Sequence, residues 1–523
     1  MSKAPFTANA TSMKYHFLVA FLFLVVCTSI AQQSISLPRS IPEKEGVSSQ
    51  GIIDFLNAIP NSNNEFHSFM IVRHGKVIAE GWWNPYRSNL KHTMYSVSKS
   101  FTATAVGFAV SEGKLSLDDK VVSFFPADIP DSIGSYVSQL HVKDLLTMSV
   151  GQQPDPTGDI GSKNDNWVAA FIRTPILYQP GSRFLYNSAA TFMLSAIVQK
   201  VTVQREFDYL QSRLFAPLGI TGIDWEVNPQ KINTGGWGLR LKTEDMAKFG
   251  QLFLQKGKWN GKQIVPAAWV EQASTKKIDQ DPTASQAKRD SSDWLQGYCY
   301  QMWRSRNNAY RADGAFGQFI IIMPDKDAVV VITSETPNMQ AEFNLVWKYI
   351  FPALHDEKLP ENATGYTELT KKTKALALPI MVSKPSPLQS SISGKTFSAS
   401  SNDAGYKSIG FSFHNGKLNV QLSTDTSQYN IAFASGKWES GETKKRGPYL
   451  SAPLRGNRSE LSSYKVAGSY YWQSDSTLVM TLRYIESPHT ETIRCKFDGA
   501  NVNVEFENSF NKTISTRFVG VVE

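Results

Sequence analysis

Two strand–turn–strand patterns stand at the ends of a long helical region and set the strongest limit on the fold. Residues 66–83, FHSFMIVRHGKVIAEGWW, indicate two strands around the turn His74-Gly75. Residues 316–334, FGQFIIIMPDKDAVVVITS, repeat that form. Between them, apolar residues recur at helical spacing, as in TEDMAKFGQLFLQKG. The sequence therefore predicts an α+β domain in which one antiparallel sheet is assembled from the two ends of the domain.

The last part of the chain changes to strands. Alternating apolar residues flank Asn415-Gly416 and again Asp498-Gly499, and such dipeptides between alternating segments are strong signals for hairpins. Residues 393–523 are therefore predicted to form a separate all-β domain, barrel-like or a sandwich. Residues 356–392, with their Pro, Ser and Lys clusters, are interpreted as a linker with one short helix. The α+β domain then occupies residues 32–355.

Residues 1–31 have the form of a secretory signal peptide. A positive charge precedes a short apolar stretch, and small residues precede a cleavage point after Ala31. The stretch is shorter than the about 20 residues of a membrane span, and no later segment is apolar enough. An exported protein, periplasmic or extracellular and without a transmembrane segment, is expected. A lipid anchor at Cys27 is the less favoured alternative, and a start at Met1 or Met13 stays open.

Composition excludes several classes of function. After signal removal only Cys299 and Cys495 remain, a poor framework for disulfides, so buried free thiols are expected. The eight histidines form no His-x-His or HExxH pattern, so neither a metal site nor another cofactor is predicted. The net charge of +8 is spread through the chain. A solvated basic surface is favoured over binding to an anionic polymer, and no nucleic-acid partner is expected.

Ser96 and Lys99 are the first candidate catalytic pair. Ser-x-x-Lys occurs seven times in the chain, but at Ser96 it opens an apolar helix that extends to Val110. Residues three apart share a helix face, so Lys99 can reach the hydroxyl. The helix dipole and burial both disfavour the charged lysine, and a partly neutral lysine can take the serine proton. From spacing alone, a helix N-terminus with a surface lysine is the commoner interpretation.

Two further segments supply candidate partners. Tyr186, in PGSRFLYNSAATFMLSAIV, stands where a loop meets a helix that starts near Ser188, so its phenol can point into a cleft. In ADGAFGQFIIIMP, a glycine-rich lead at Gly314 enters an apolar strand. Glycine there lets a substrate lie close to the strand, and an exposed N–H can serve as an oxyanion donor. Taken singly, Tyr186 is more often a packing residue and Gly314 a bulge.

In order and spacing, five segments resemble the serine β-lactamase/DD-peptidase superfamily, specifically its branch with class C β-lactamases, family VIII esterases and 6-aminohexanoate-dimer hydrolases. The resemblance covers about residues 42–352 and leaves the C-terminal β domain outside. It implies the fold of that superfamily, an antiparallel sheet flanked by helices, with a helical subdomain. The segments are MYSVSKSFTATAVGFAVSEGKLSLDDKVVSFFP, LHVKDLLTMSVG, YQPGSRFLYNS, GGWGLRLKTEDMAKFGQLFLQKGKWNGKQIVP and GAFGQFIIIMP.

The resemblance also implies roles for individual residues. Ser96 would be the acylated nucleophile, with Lys99 as its partner. Tyr186 would carry protons to the leaving group. The oxyanion hole would combine the backbone N–H of Ser96 with one from the glycine-rich strand lead. The residues expected at the oxyanion and substrate-binding positions are Ala315, Gly314 and Ser188.

One departure from the superfamily bears on the substrate. Its third motif is Lys-Thr/Ser-Gly or a His-containing variant, whereas this chain has Ala312-Asp313-Gly314. In β-lactamases and DD-peptidases that cation helps to bind the substrate carboxylate. Arg311 is adjacent but is expected to point to the opposite strand face from Ala312. An ester or a linear amide is therefore favoured over penicillins and D-Ala-D-Ala peptides.

Together these features predict an exported serine hydrolase that acts through an acyl-enzyme on a small-molecule ester, amide or peptide. A DD-carboxypeptidase or β-lactamase on the same fold is the nearest alternative. A non-catalytic binding protein on this scaffold is an alternative of another class. For the β domain, a lid over the cleft and a docking module are equally open.

Overall fold

The computed structural model describes Met1, Ala4 and residues 36–454 and 461–523. Apart from its two isolated positions, the predicted signal peptide of residues 1–31, with Cys27 and Met13, lies outside the described residues. The described chain from Ser36 onward belongs to one compact unit. In these ranges, no helix combines the length and apolar character needed to cross a bilayer.

Helices dominate the middle of the chain and strands its C-terminal part. The helices are α1 (Ser49–Ala58), α2 (Ser98–Ser111), α3 (Val142–Leu146), α4 (Thr157–Lys163), α5 (Trp167–Arg173), α6 (Ser188–Thr202), α7 (Glu206–Leu210), α8 (Thr243–Leu254), α9 (Ala267–Ser274), α10 (Gln286–Ser291), α11 (Met339–Leu345), α12 (Ala363–Lys374) and α13 (Leu388–Ile392). The strands are β1 (Glu65–Arg73), β2 (Lys76–Trp82), β3 (His92–Thr93), β4 (Asp224–Trp225), β5 (Leu239–Leu241), β6 (Lys258–Trp259), β7 (Lys262–Gln263), β8 (Trp303–Arg304), β9 (Tyr310–Gly314), β10 (Gln318–Met323), β11 (Ala328–Glu335), β12 (Lys395–Ala399), β13 (Tyr406–His414), β14 (Lys417–Thr424), β15 (Gln428–Ser435), β16 (Glu439–Thr443), β17 (Tyr464–Ser474), β18 (Thr477–Tyr484), β19 (Thr490–Asp498), β20 (Asn501–Asn508) and β21 (Ile514–Val522).

The central sheet joins the two ends of the first domain, which confirms the sequence prediction. Its strand order is β2-β1-β11-β10-β9-β8. At the β1–β2 turn, His74 and Gly75 have φ angles of 49° and 74°, and a two-residue hairpin turn of type I′ needs two positive φ angles. β1 from the first hairpin then pairs with β11 from the second, with Phe69 opposite Ile332. This pairing brings the segments around Ser96 and Gly314 into one domain.

The sheet has an apolar core on each face, because successive side chains of a strand point to opposite faces. One face packs Met70 and Ile320 against α2, α6 and α8. The other packs Phe69 and Phe319 with α1 and α11. α2 is buried almost all round, so it forms the centre of the larger core and fixes the position of its N-terminal end.

The C-terminal domain is a closed barrel. β12–β15 and β17–β21 form nine strands, and the ring closes where β15 pairs in parallel with β17 at Ala434 and Ser469. The barrel has its own apolar core, which includes Cys495. Cys299 and Cys495 are both free and buried, as the sequence predicted.

The segment predicted as a linker is largely ordered against the first domain. α12 packs on α1 and β2, Leu369 is buried, and the N–H of Leu378 donates to the carbonyl of Asn84. The barrel then docks through the loop between β18 and β19. The carbonyl of Glu486 accepts the N–H of Thr93 at 3.0 Å, directly before the turn that carries Ser96.

Candidate active site

Ser96 lies in a short 3₁₀ turn, Tyr95–Val97, that continues directly into α2. The sequence placed it in the first turn of the helix, and the α-helical hydrogen-bonding pattern begins only at Ser98. Ser96 is partly exposed, whereas Tyr95 and Val97 on either side are buried. Its hydroxyl can therefore reach a solute while the backbone around it is held in place.

Lys99 is held at the Ser96 hydroxyl by three acceptors. Its Nζ lies 3.0 Å from Ser96 Oγ, 3.0 Å from Ser188 Oγ and 2.7 Å from the carbonyl oxygen of Gly236. The lysine is only 1% exposed, and burial lowers its pKa to about 7, against a weaker opposing effect of nearby carboxylates. A substantial fraction of the amine is therefore neutral at neutral pH, as a general base requires.

Tyr186 approaches from the loop before α6. Asn187 caps that helix through a hydrogen bond from the N–H of Ala190, which fixes the loop-to-helix junction. The Tyr186 ring stacks on Trp303, with centroids 5.5 Å apart, and its centroid is 4.9 Å from Lys99 Nζ. Burial raises the pKa of the phenol, and a polar interaction with the Ser96 side chain opposes the rise. The phenol therefore stays protonated beside the serine.

Gly314 and Ala315 face Ser96 from the end of β9. A Cβ on Gly314 would lie 2.3 Å from the carbonyl oxygen of Met94, so only glycine allows this close approach of the strand to the turn before Ser96. Ala315 follows in the turn toward β10 and lines the same cavity as Ser96. Among the described residues, no backbone acceptor receives its N–H, which leaves this donor available to an oxyanion.

A cavity of about 440 Å³ opens above Ser96. Both domains form its wall, since Leu450–Leu454 belong to the barrel and Trp237 to the first domain. No Lys, Arg, Asp or Glu side chain is among the described residues that line it. The lining residues are Tyr95, Ser96, Thr157, Gly158, Ser162, Ser188, Gly236, Trp237, Ala315, Leu450, Ser451, Pro453 and Leu454.

The cation expected at the third motif of the superfamily has no replacement on β9. Ala312 is buried. Arg311 is also buried, and it is paired with Asp313 at 2.9 Å and bonded to the carbonyl oxygens of Asp293 and Arg304. Burial raises the pKa of Asp313, and the guanidinium opposes that rise. Because Arg311 is occupied and inaccessible, it cannot serve a substrate carboxylate.

The structure thus brings together all six residues that the sequence singled out, and it adds others. The Gly236 carbonyl is a partner of Lys99 that sequence reasoning missed, although the segment GGWG was part of the resemblance. The barrel segment at Leu450 was missed altogether, because no local pattern marks a contact made across domains. Within residues 36–454 and 461–523, no three His, Cys, Asp or Glu side chains gather in a way that could hold a metal ion.

The beta-lactamase family model matches residues 67–355, more than half of the 523 residues. The chain belongs to the beta-lactamase family. The matched range contains Ser96, Lys99, Tyr186 and Ala315. The barrel lies beyond it.

Two relatives show what this chain is similar to. A protein of Escherichia coli strain K12, provisionally named D-alanyl-D-alanine carboxypeptidase, is 27% identical over 239 residues, or 40% of this chain and 55% of that protein. A 6-aminohexanoate-dimer hydrolase of Paenarthrobacter ureafaciens is 24% identical over 295 residues, or 52% of this chain and 73% of that protein. The chain therefore spans about half the length of the Escherichia coli relatives that it matches.

A solved structure from Bacillus anthracis shows the same fold. It is provisionally named 6-aminohexanoate-dimer hydrolase, and it aligns with a TM-score of 0.50 and 22% identity, over 63% of this chain and 90% of that one. This likeness and the family model agree on the fold of residues 67–355.

Proposed function

We propose that this protein is an exported serine hydrolase that cleaves neutral esters or linear amides through an acyl-enzyme. One observation carries the proposal: the Lys99 amine lies 3.0 Å from Ser96 Oγ and has a pKa lowered by burial to about 7. A neutral amine at that distance can activate a serine that is otherwise a weak nucleophile. Export is proposed from the signal-like sequence of residues 1–31.

The acylation step uses the groups around Ser96 in sequence. Lys99 accepts the hydroxyl proton as Ser96 Oγ forms a bond to the substrate carbonyl carbon. The N–H groups of Ser96 and Ala315 stabilise the oxyanion. Tyr186 then donates a proton to the leaving alcohol or amine as its bond to the carbonyl carbon breaks, and it is reprotonated from Lys99.

Deacylation returns the enzyme to its first state. A water molecule gives a proton to the neutral Lys99 amine and attacks the acyl carbonyl carbon of the Ser96 ester. The same two N–H donors stabilise the second oxyanion. The ester bond to Ser96 Oγ breaks, Lys99 returns the proton to that oxygen, and the free acid leaves.

The lining of the cavity supports a neutral substrate. None of its described side chains carries a charge. Arg311 is buried and donates hydrogen bonds to the Asp293 carbonyl and the Ser305 hydroxyl. A charge-assisted hydrogen bond contributes about 1.5–3 kcal/mol, so its absence weakens carboxylate recognition by roughly 10–150-fold. A neutral ester does not use that contact and loses little. We therefore propose that short-chain esters are turned over well and that penicillins and D-Ala-D-Ala peptides are poor substrates.

A carboxypeptidase acting on D-alanyl peptides is the second candidate, because the Escherichia coli relative carries that name. The third candidate is a binding protein without activity. The site does not favour it, because the Ser96 hydroxyl, the Lys99 amine and the Tyr186 phenol are all present.

The test combines a covalent probe with three substrates. Wild-type protein, Ser96→Ala and Ser111→Ala are incubated with a fluorophosphonate, and turnover of a short-chain nitrophenyl ester, nitrocefin and a D-alanyl dipeptide is measured. Ser111 also begins a Ser-x-x-Lys sequence, but it lies at the far end of α2 with its hydroxyl bonded to the carbonyl of Phe108. It is therefore the matched control.

We expect labelling and ester hydrolysis in wild type and Ser111→Ala, and neither in Ser96→Ala. Labelling with efficient cleavage of nitrocefin or the dipeptide, beside negligible esterase activity, would favour the carboxypeptidase. A folded Ser96→Ala that hydrolyses the ester at the wild-type rate would refute the assignment of the nucleophile.

A further inference from the structure

Tyr95, the residue before Ser96, has an unfavourable backbone conformation. Its φ angle is 45°, in the left-handed region that a bulky residue rarely adopts. Such a conformation persists only where the surrounding structure over-determines it. Because Tyr95 and Ser96 share a peptide plane, whatever holds Tyr95 also sets the direction of the Ser96 N–H and side chain.

The groups that hold the Tyr95 side chain come largely from the barrel. His489, in the loop between β18 and β19, has its Nε2 2.5 Å from the phenolic oxygen. The N–H of Leu450 donates to the same oxygen at 3.3 Å, and the Tyr449 ring stacks on the Tyr95 ring with centroids 5.4 Å apart. The barrel therefore clamps a strained residue that belongs to the first domain.

His489 is itself oriented by the first domain. Its Nδ1 lies 2.7 Å from Glu335 Oε1, at the end of β11. In the tautomer whose Nδ1 donates to that carboxylate, Nε2 can accept a hydrogen bond from the Tyr95 hydroxyl. The phenolic oxygen then accepts the N–H of Leu450. Each donor in this series of hydrogen bonds, which links Glu335 to Leu450 of the barrel, therefore has an acceptor. His489 is fully buried, and such a network is strong only when all its members are satisfied.

The same histidine also touches the other side of the oxyanion hole. Phe316 follows Ala315, and its ring meets His489 edge-on with centroids 4.8 Å apart. Phe510 of the barrel packs against Phe316 at 5.5 Å. His489 thus contacts the residue before one proposed oxyanion donor and the residue after the other.

We propose that His489 is a positioning residue for hydrolysis, which makes the barrel a structural part of the catalytic centre. It holds Tyr95 in its left-handed conformation and Phe316 against it, so that the N–H groups of Ser96 and Ala315 converge on one oxyanion. This inference rests on the proposed role of Ser96. A 1 Å misplacement in an active site can lower the rate by about 100-fold, so losing the hydrogen bond is expected to lower kcat by between about 10- and 100-fold.

The test is a double-mutant cycle on the full-length protein. Tyr95→Phe removes only the hydroxyl, His489→Phe keeps a ring of similar size, and the double variant removes both partners. Tyr86→Phe is the matched control, because the Tyr86 hydroxyl donates to the Ser487 carbonyl at 3.1 Å across the same interface without contacting Tyr95. For each variant, kcat and KM are measured on the nitrophenyl ester, together with the midpoint of thermal unfolding.

We expect kcat to fall at least tenfold in both single variants, with KM within about twofold, and no further fall in the double variant. Tyr86→Phe should lower the unfolding midpoint about as much as Tyr95→Phe does, while its kcat stays within twofold of wild type. Tyr95→Phe with wild-type kcat, single effects that multiply in the double variant, or an equal loss in Tyr86→Phe would overturn the proposal. Wild-type labelling at Ser96 keeps these results separate from a failure of the proposed function, in which no labelling occurs.

Discussion

Lys99→Met is expected to raise the free energy of unfolding and to abolish hydrolysis. The fall of the Lys99 pKa from 10.5 to about 7 corresponds to a cost of about 5 kcal/mol for keeping the protonated amine in the fold. Methionine removes this cost at similar volume, but it leaves the buried Gly236 carbonyl without its donor, which costs about 1–3 kcal/mol. The net gain in unfolding free energy at pH 6 is therefore on the order of 2–4 kcal/mol.

The pH dependence of this gain follows from the two pKa values. An unfolded lysine keeps its proton up to about pH 10.5, whereas Lys99 in the fold releases its proton near pH 7. Between these values the unfolded state binds more protons, so the stability of the wild-type protein rises with pH. The cost is fully present below pH 7 and is lost as the pH approaches 10.5. Lys99→Met should therefore be more stable than wild type at pH 6 but no more stable, or less stable, at pH 10, where only about 1 kcal/mol of the cost remains against about 1–3 kcal/mol for the unpaired carbonyl.

Lys445 in the barrel provides a control of opposite sign. Burial alone would lower its pKa, but the Glu491 carboxylate at 2.6 Å outweighs that effect and raises the pKa above its ordinary value. Lys445→Met leaves a buried carboxylate unpaired, which costs about 3–5 kcal/mol. The assay is the thermal midpoint and urea midpoint of wild type and both variants at pH 6 and pH 10. If Lys99→Met lowers the midpoints at pH 6 as much as Lys445→Met does, the reasoning that burial of the protonated Lys99 amine costs stability is wrong.

Three further outcomes are expected. Tyr186→Phe should lower kcat by roughly 10²–10⁴-fold, the usual range for a proton-transfer group, with an unchanged circular dichroism spectrum; activity within a few-fold of wild type would mean that the phenol only packs. Gly314→Ala should lower kcat on the nitrophenyl ester by about 100-fold, because the new Cβ would lie 2.3 Å from the Met94 carbonyl. Burial lowers the pKa of both His67 and His92, so the unfolded state binds protons first as the pH falls through about 6.5. The thermal midpoint should decline from pH 7.5 to 5.5, and His92→Gln should decline less steeply.

The sheet and the barrel hairpins were predictable because they follow local patterns. Alternating apolar residues fix which strand face is buried, and His74-Gly75 and Asn415-Gly416 mark turns at which the chain reverses. Closure of the barrel was not predictable, since it depends on the parallel contact of Ala434 with Ser469, which no periodicity marks. The segment 356–392 was predicted as a linker because its composition is polar. Leu369, the buried leucine by which α12 packs on the first domain, stands among threonines and lysines.

In the candidate site, too, local contacts were predictable and distant ones were not. Lys99 follows Ser96 by three positions, so helical geometry alone predicts that they meet. The contact of Lys99 with Gly236 is made by a backbone carbonyl. Every residue has such a group, so no side-chain pattern could have predicted this partner.

His489 is harder still to find in the sequence, because its partners Tyr95 and Glu335 are 394 and 154 residues away. Nothing in the residues around it indicates chemistry. The strain at Tyr95 explains why such a distant partner is useful: a tyrosine with positive φ is not held by its own local sequence, so its stability must come from tertiary contacts. A protein that keeps Tyr95 at this position gains a donor and an aromatic face for the barrel to bind, whereas glycine would relieve the strain and remove both. The barrel and the turn that carries Ser96 are therefore expected to depend on each other, which sequence patterns within either domain cannot reveal.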